Sequence, residues 1–127
     1  MPGAEHQETA PDAAQLLITR LACSLVGQTQ AIQVVPGSRA YQAYGPTAVE
    51  QFRCNYGLNP AYRETLFGGA LRIAGTDSEG EVRIVELADH PFFVATLFVP
   101  QLASSPGKPH PLIVAYLQAA LAYRASP

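Results

Sequence analysis

The chain has 127 residues, with eight Lys and Arg against ten Asp and Glu, for a net charge of −2. Charged residues make up only 14%, well below the ~25% of an average soluble domain, which argues against a basic surface for nucleic acid. The length fits one domain and leaves no room for a separate ATP-using synthetase module, while 48% apolar residues can fill a core rather than leave a disordered chain.

Two cysteines, Cys23 and Cys54, are too few for a disulfide framework, and each sits in a segment where a buried free thiol is the usual occupant. The first fifteen residues lack the basic and apolar regions of a secretory signal. Leu16 to Gly27 is broken by Arg20 and too short to span a bilayer. A soluble, cytoplasmic protein without nucleic-acid or membrane partners is expected.

Residues 1–14 mix Pro, Gly, Glu, Gln and His without periodicity and read as a loose N-terminal arm. An α/β domain is expected over 15–124. Leu16 to Val26 reads as one buried strand or two short ones, and Thr29 to Val35 as a half-buried strand closed by Pro36-Gly37. Ser38 is the expected N-cap of a short helix that Gly45 ends. In the next strand, Val49 to Tyr56, alternation places Phe52, Cys54 and Tyr56 on one face and Arg53 and Asn55 on the other. Asn59-Pro60 opens a further helix, stopped at Gly68-Gly69.

Two strands around Ser78-Glu79-Gly80 form a predicted β-hairpin. The almost wholly apolar Phe92 to Val99 is expected at the centre of the sheet, covered on both faces. A proline-rich loop follows. The closing helix places Leu112, Tyr116, Ala119, Ala120 and Tyr123 on one face.

His6, His90 and His110 have no Cys, Asp, Glu or His at metal-site spacing, so no metal or other cofactor is expected. Neither a phosphate-binding glycine loop nor a G-x-S-x-G elbow is present. Cys54 neighbours Arg53, yet adjacent strand residues face opposite ways, so an inert thiol is expected. Asp89-His90 reads as a turn before the apolar strand. The residues alone describe an α/β domain without a self-contained active site.

The run VRIVELADHPFFVATLFVPQLASSPGKPHPLIVAYLQAA resembles the C-terminal end of the glutamine amidotransferase domain of CTP synthases, the enzymes of pyrimidine biosynthesis. Upstream, VVPGSRAYQAYG, QFRCNYGLNPAYRETL and LRIAGTDSEGE resemble the same domain in the same order. The resemblance covers about residues 15–120. It implies the C-terminal part of a class I glutamine amidotransferase-like (flavodoxin-like) three-layer fold, a mixed sheet with helices on both faces.

In that family a cysteine on a strand-to-helix elbow attacks the glutamine amide, and a histidine and a glutamate complete the triad. The resemblance puts Val99 and Gln101 at the histidine and glutamate positions, with Pro100 between them, and Asn55 where an arginine grips the glutamine carboxylate. The elbow is expected upstream of residue 1. Valine cannot transfer a proton, and asparagine cannot make arginine's bidentate clamp. The catalytic positions are thus expected to be degenerate, as in a pseudoenzyme or truncated domain. Arg53, Asn55 and Tyr56 remain as candidates for binding a small-molecule ligand.

The segments LACSLVG, CNYGLNP and ATLFVPQ are more similar still to the CTP synthase C-terminal region-related (seleno)proteins. That group implies a cysteine or selenocysteine at the elbow and an altered chemistry of the Cys/Sec redox kind, completed by another subunit or an upstream half. The chain is expected to be a non-hydrolysing binding or interaction module, with a complementing N-terminal half or a second copy, as a homodimer, for partner.

Overall fold

The structure, a computed structural model, describes residues 1–125. Its strands fall into two sheets rather than one. The smaller joins β1 (Glu5–His6), β2 (Leu16–Arg20) and β5 (Tyr56–Leu58) in that order. β1 runs parallel to β2, and β2 antiparallel to β5. Residues 1–14 are therefore not a loose arm throughout: Glu5 donates its N–H to the Gln15 carbonyl and Gln7 to that of Ile18, each at 2.9 Å.

The larger sheet is antiparallel at every pairing. Its strands are β3 (Thr29–Val34), β4 (Thr47–Gln51), β6 (Leu71–Thr76), β7 (Val82–Leu87) and β8 (Val94–Thr96), in the spatial order β4-β3-β6-β7-β8. The predicted hairpin is β6 and β7. Its register shifts around Gly75, where a Cβ would lie 2.8 Å from Ile84 Cδ1 and 2.9 Å from Ile32 Cγ2. That close approach explains a glycine inside a strand.

Three expectations need correction. Val49 to Tyr56 is not one strand: β4 ends at Gln51, and β5 begins at Tyr56 in the other sheet. Between them, Leu25 and Gly27 donate to the carbonyls of Cys54 and Phe52, so a neighbouring loop replaces the ladder. The alternation survives the break, with Phe52 fully buried and Arg53 and Asn55 exposed. Periodicity reports which side is buried, not which strand is the partner.

The apolar run Phe92 to Val99 yields only a three-residue strand, at the edge of the sheet and not its centre. Its apolar character signals coverage, and within the described residues β7 covers one edge only.

Helix α1 (Arg39–Tyr44) is the one expected from Ser38. The Ser38 hydroxyl oxygen accepts from the Tyr41 N–H at 3.0 Å, and Gly45, at φ 86°, donates to the Tyr41 carbonyl at 2.7 Å. After Asn59 come a 3-10 turn (Pro60–Tyr62) and a single-turn helix, α2 (Arg63–Leu66). The last helix, α3 (Pro111–Ala125), packs on α1. It presents Leu112, Val114, Ala115 and Ala119 inward, whereas Tyr116 is 55% and Tyr123 70% exposed. A helix apolar nearly all round gives periodicity little to choose between, so α1 decides the buried face. The core collects Ile32, Val34, Ala40, Phe52, Ala74, Ile84, Phe98 and Leu112, with the Phe52 and Phe98 rings edge to face at 5.7 Å.

Candidate functional site

Proline has no N–H, and three times this chain lets the residue before a proline bond to the residue after it. Asn59 Oδ1 accepts from the Ala61 N–H, His90 Nδ1 from Phe92 and His110 Nδ1 from Leu112, each at 3.1 Å. His110 thereby caps α3 with its side chain, a role normally taken by Ser, Thr, Asp or Asn.

That cap fixes the chemistry of a buried cluster. With Nδ1 used as an acceptor, the proton of the neutral imidazole belongs on Nε2, which lies 2.5 Å from Glu50 Oε1. The Tyr44 hydroxyl donates to the same carboxylate oxygen at 2.6 Å and lies 3.1 Å from His110 Nε2. Glu50 is 2% exposed and His110 1%. Burial, and then the hydrogen bond and charge of Glu50, push the Tyr44 hydroxyl well above its ordinary range. The cluster ties β4, the end of α1 and the start of α3 together.

Two more carboxylates are buried with partners. Asp77 Oδ2 accepts from Arg83 Nη2 at 2.9 Å, and its Oδ1 accepts the N–H groups of Glu79 and Glu81, closing the hairpin turn. Glu86 accepts from the Arg39 N–H at 3.1 and 3.0 Å and from the Ala40 N–H at 3.4 Å, so β7 caps α1. None of these carboxylates was singled out in the sequence. Glu50 had a signal, because it shares strand parity with the buried Ala48 and Phe52.

The residues that were singled out are not gathered around one cavity. Asn55 is exposed and accepts from the Ser24 hydroxyl at 2.5 Å. Tyr56 lies beside the His6 ring at 5.2 Å and beneath the Arg20 guanidinium at 5.4 Å. Arg53 is exposed on the connecting stretch. Val99 donates its N–H to the Gln51 carbonyl at 3.3 Å and precedes the 3-10 turn Pro100–Ala103, on which Gln101 is exposed. Cys54 is partly buried, and its thiol donates to the Leu97 carbonyl at 2.8 Å.

β8 thus ends against the 51–54 stretch, bringing Val99 beside Gln51 and Leu97 beside Cys54. Among the described residues, no group of three or more His, Cys, Asp or Glu is placed to hold a metal ion. No helix is long and apolar enough to cross a membrane.

No protein-family model matches the chain. It is 46% identical over 91 residues to the CTP synthase of Carboxydothermus hydrogenoformans, a match covering 70% of this chain and 17% of that protein. With the CTP synthase of Saccharopolyspora erythraea it is 46% identical over 98 residues, covering 74% and 17%. Among solved structures, the glutaminase domain of Trypanosoma brucei CTPS with bound acivicin superposes with a TM-score of 0.85 at 24% identity, covering 94% of this chain and 51% of that one. A GMP synthase component from Thermoplasma acidophilum superposes at 0.65 with 11% identity, covering 84% and 49%. The chain therefore spans about half of these solved domains and a sixth of the curated relatives.

Proposed function

From its place as a relative of the CTP synthases, with the fold of their glutaminase domain, we propose that this chain is a non-hydrolysing member of that lineage, a binding or interaction module. The observation that carries this is the junction of β8 with the following 3-10 turn. There the resemblance asks for a histidine and a glutamate, and the side chains are Val99 and Gln101. Neither moves a proton at neutral pH, and loss of the general base alone removes on the order of 10²–10⁴ in rate. Asn55, bonded to Ser24, replaces the arginine clamp with a neutral group.

Incubating the purified chain with glutamine and measuring released ammonia tests this. No release above a buffer control is expected, and turnover that scales with protein concentration overturns it.

A second reading is favoured by β8 itself. In the β7–β8 ladder Leu97 donates to the Arg83 carbonyl and Phe93 accepts from Leu87, so the odd residues face β7 while the N–H and C=O groups of Val94 and Thr96 point away from it. Beside this edge, between the two sheets, lies an apolar cavity of about 230 Å³ lined by Leu17, Leu58, Phe67, Val85, Ala95 and Leu97 among others. Such an edge suits an added strand. A complementing N-terminal half, supplying the cysteine or selenocysteine elbow, would seat there and complete an enzyme of altered chemistry. Mixing the chain with a separately produced N-terminal half of a CTP synthase glutaminase domain should give a one-to-one complex. Failure to co-elute at high micromolar concentration removes this reading and leaves the first intact.

A further inference from the structure

Helices α1 and α3 leave an open groove between them, with a volume of about 470 Å³, the size of a small-molecule site. Each helix gives it one face. From α1 come Arg39, Gln42 and Ala43, and from α3 Ala115, Gln118 and Ala119, both sets at the i, i+3, i+4 spacing that puts side chains next to one another on a helix. Phe92 closes one end. Val99, Gln101 and Asn55 do not line this groove, so it is separate from the β8 junction.

Arg39 carries the charge of the groove. Its side chain is half-buried, and Nη2 donates to the His90 carbonyl at 2.8 Å, two residues before Phe92, which anchors the guanidinium at the Phe92 end. A guanidinium has five N–H donors, and this contact takes one. Among the described residues no carboxylate forms an ion pair with it; the two ion pairs are Arg83 with Asp77 and His110 with Glu50. The half-buried Ala43, Ala115 and Ala119 lie deeper than the exposed Gln42 and Gln118. The groove thus offers an anchored, unpaired cation beside an apolar floor, with an amide on each wall. A side chain already anchored loses less freedom when a ligand binds.

These features narrow the occupant. The arginine fork matches a carboxylate, and the alanines with the Phe92 ring receive a compact apolar body. One negative charge is the limit. Glu86, 4% exposed, already takes the Arg39 and Ala40 N–H groups with its own carboxylate, so the start of α1 offers a second charge no backbone donor and repels it. We propose that the α1–α3 groove binds a small monocarboxylate with a compact apolar or aromatic body.

Titrating the whole chain with hydrocinnamate and following ¹H–¹⁵N spectra tests this. Hydrocinnamide keeps the body without the charge, acetate keeps the charge without the body, and phenyl phosphate carries a second charge. Hydrocinnamate should shift the Arg39 Nε–H and the Gln42 and Gln118 side-chain amides saturably at millimolar concentration or below, and all three controls should bind more weakly. Arg39→Gln should weaken hydrocinnamate about tenfold or more, as expected for a charge-assisted hydrogen bond. Gln118 is exposed, so its charge can be changed without disturbing the core. At low ionic strength Gln118→Glu should weaken binding and Gln118→Lys tighten it, each by about twofold or more.

The proposal is overturned by no saturable shift at those side chains, by any control binding as tightly as hydrocinnamate, or by undiminished binding to a folded Arg39→Gln. If Arg39→Gln does not fold, the two Gln118 variants decide, and equal affinities overturn the proposal as well. The ammonia assay above is independent of this outcome.

Discussion

His110 Nε2 and Glu50 Oε1 lie 2.5 Å apart, although 60 residues separate them in sequence. Removing the carboxylate with Glu50→Ala leaves two buried donors, His110 Nε2–H and the Tyr44 hydroxyl, without an acceptor. Each orphaned group costs about 1–3 kcal/mol, so a total loss of about 2–6 kcal/mol is expected in urea unfolding. Tyr44→Phe removes one donor and should cost about 1 kcal/mol. A Glu50→Ala chain as stable as the native one refutes this account of the cluster.

The same cluster sets an alkaline limit. Tyr44 is held protonated in the folded chain by burial and by Glu50, whereas in the unfolded chain it ionises near the ordinary value of about 10. A group whose folded value is raised contributes fully below the unfolded value, and that contribution is lost as pH rises above it. Thermal midpoints should therefore fall above about pH 10, and more gently in Tyr44→Phe. Parallel curves for the two chains would show that Tyr44 does not set the limit.

Asp77→Ala strands the buried Arg83 guanidinium and releases the N–H groups of Glu79 and Glu81. Breaking a buried ion pair from one side costs about 3–5 kcal/mol. Chemical denaturation should show a loss in that range. A loss under about 1 kcal/mol would place the pair with ordinary surface ion pairs.

Gly75→Ala drives a methyl group toward Ile84 and Ile32, both fully buried. Overpacking of this kind costs about 1–3 kcal/mol. Shortening Ile84 to Val in the same chain should recover part of it, a non-additivity that a double-mutant cycle reads directly.

The outward groups of Val94 and Thr96 should pair with another copy of β8 when no other strand is offered. Light scattering is expected to give a mass above the monomer at high concentration. Val94→Pro, which blocks the edge without removing a bond to β7, should restore a monomer. A monodisperse native monomer contradicts this expectation.

Local chemistry was legible in the sequence. Ser38, Gly45, Asn59 and the β6–β7 turn act through neighbours within a few residues, so their roles could be read directly. Partners distant along the chain were not legible. The unbroken alternation through Phe52 and Cys54 concealed a change of sheet, because burial parity continues whichever strand lies alongside. His110 read as a loop end because its acceptor, Glu50, lies on another strand. Its role as a cap was written locally, in the proline that follows it.

The Glu86 cap on α1 ties the order of assembly to the topology. A six-residue helix is far below the length that holds together alone in water, and the carboxylate that answers its first N–H groups arrives 47 residues later. A nascent chain released before residue 86 should lack α1 altogether, however well Ser38 and Gly45 are placed. The helix and the hairpin that caps it are then acquired in a single step.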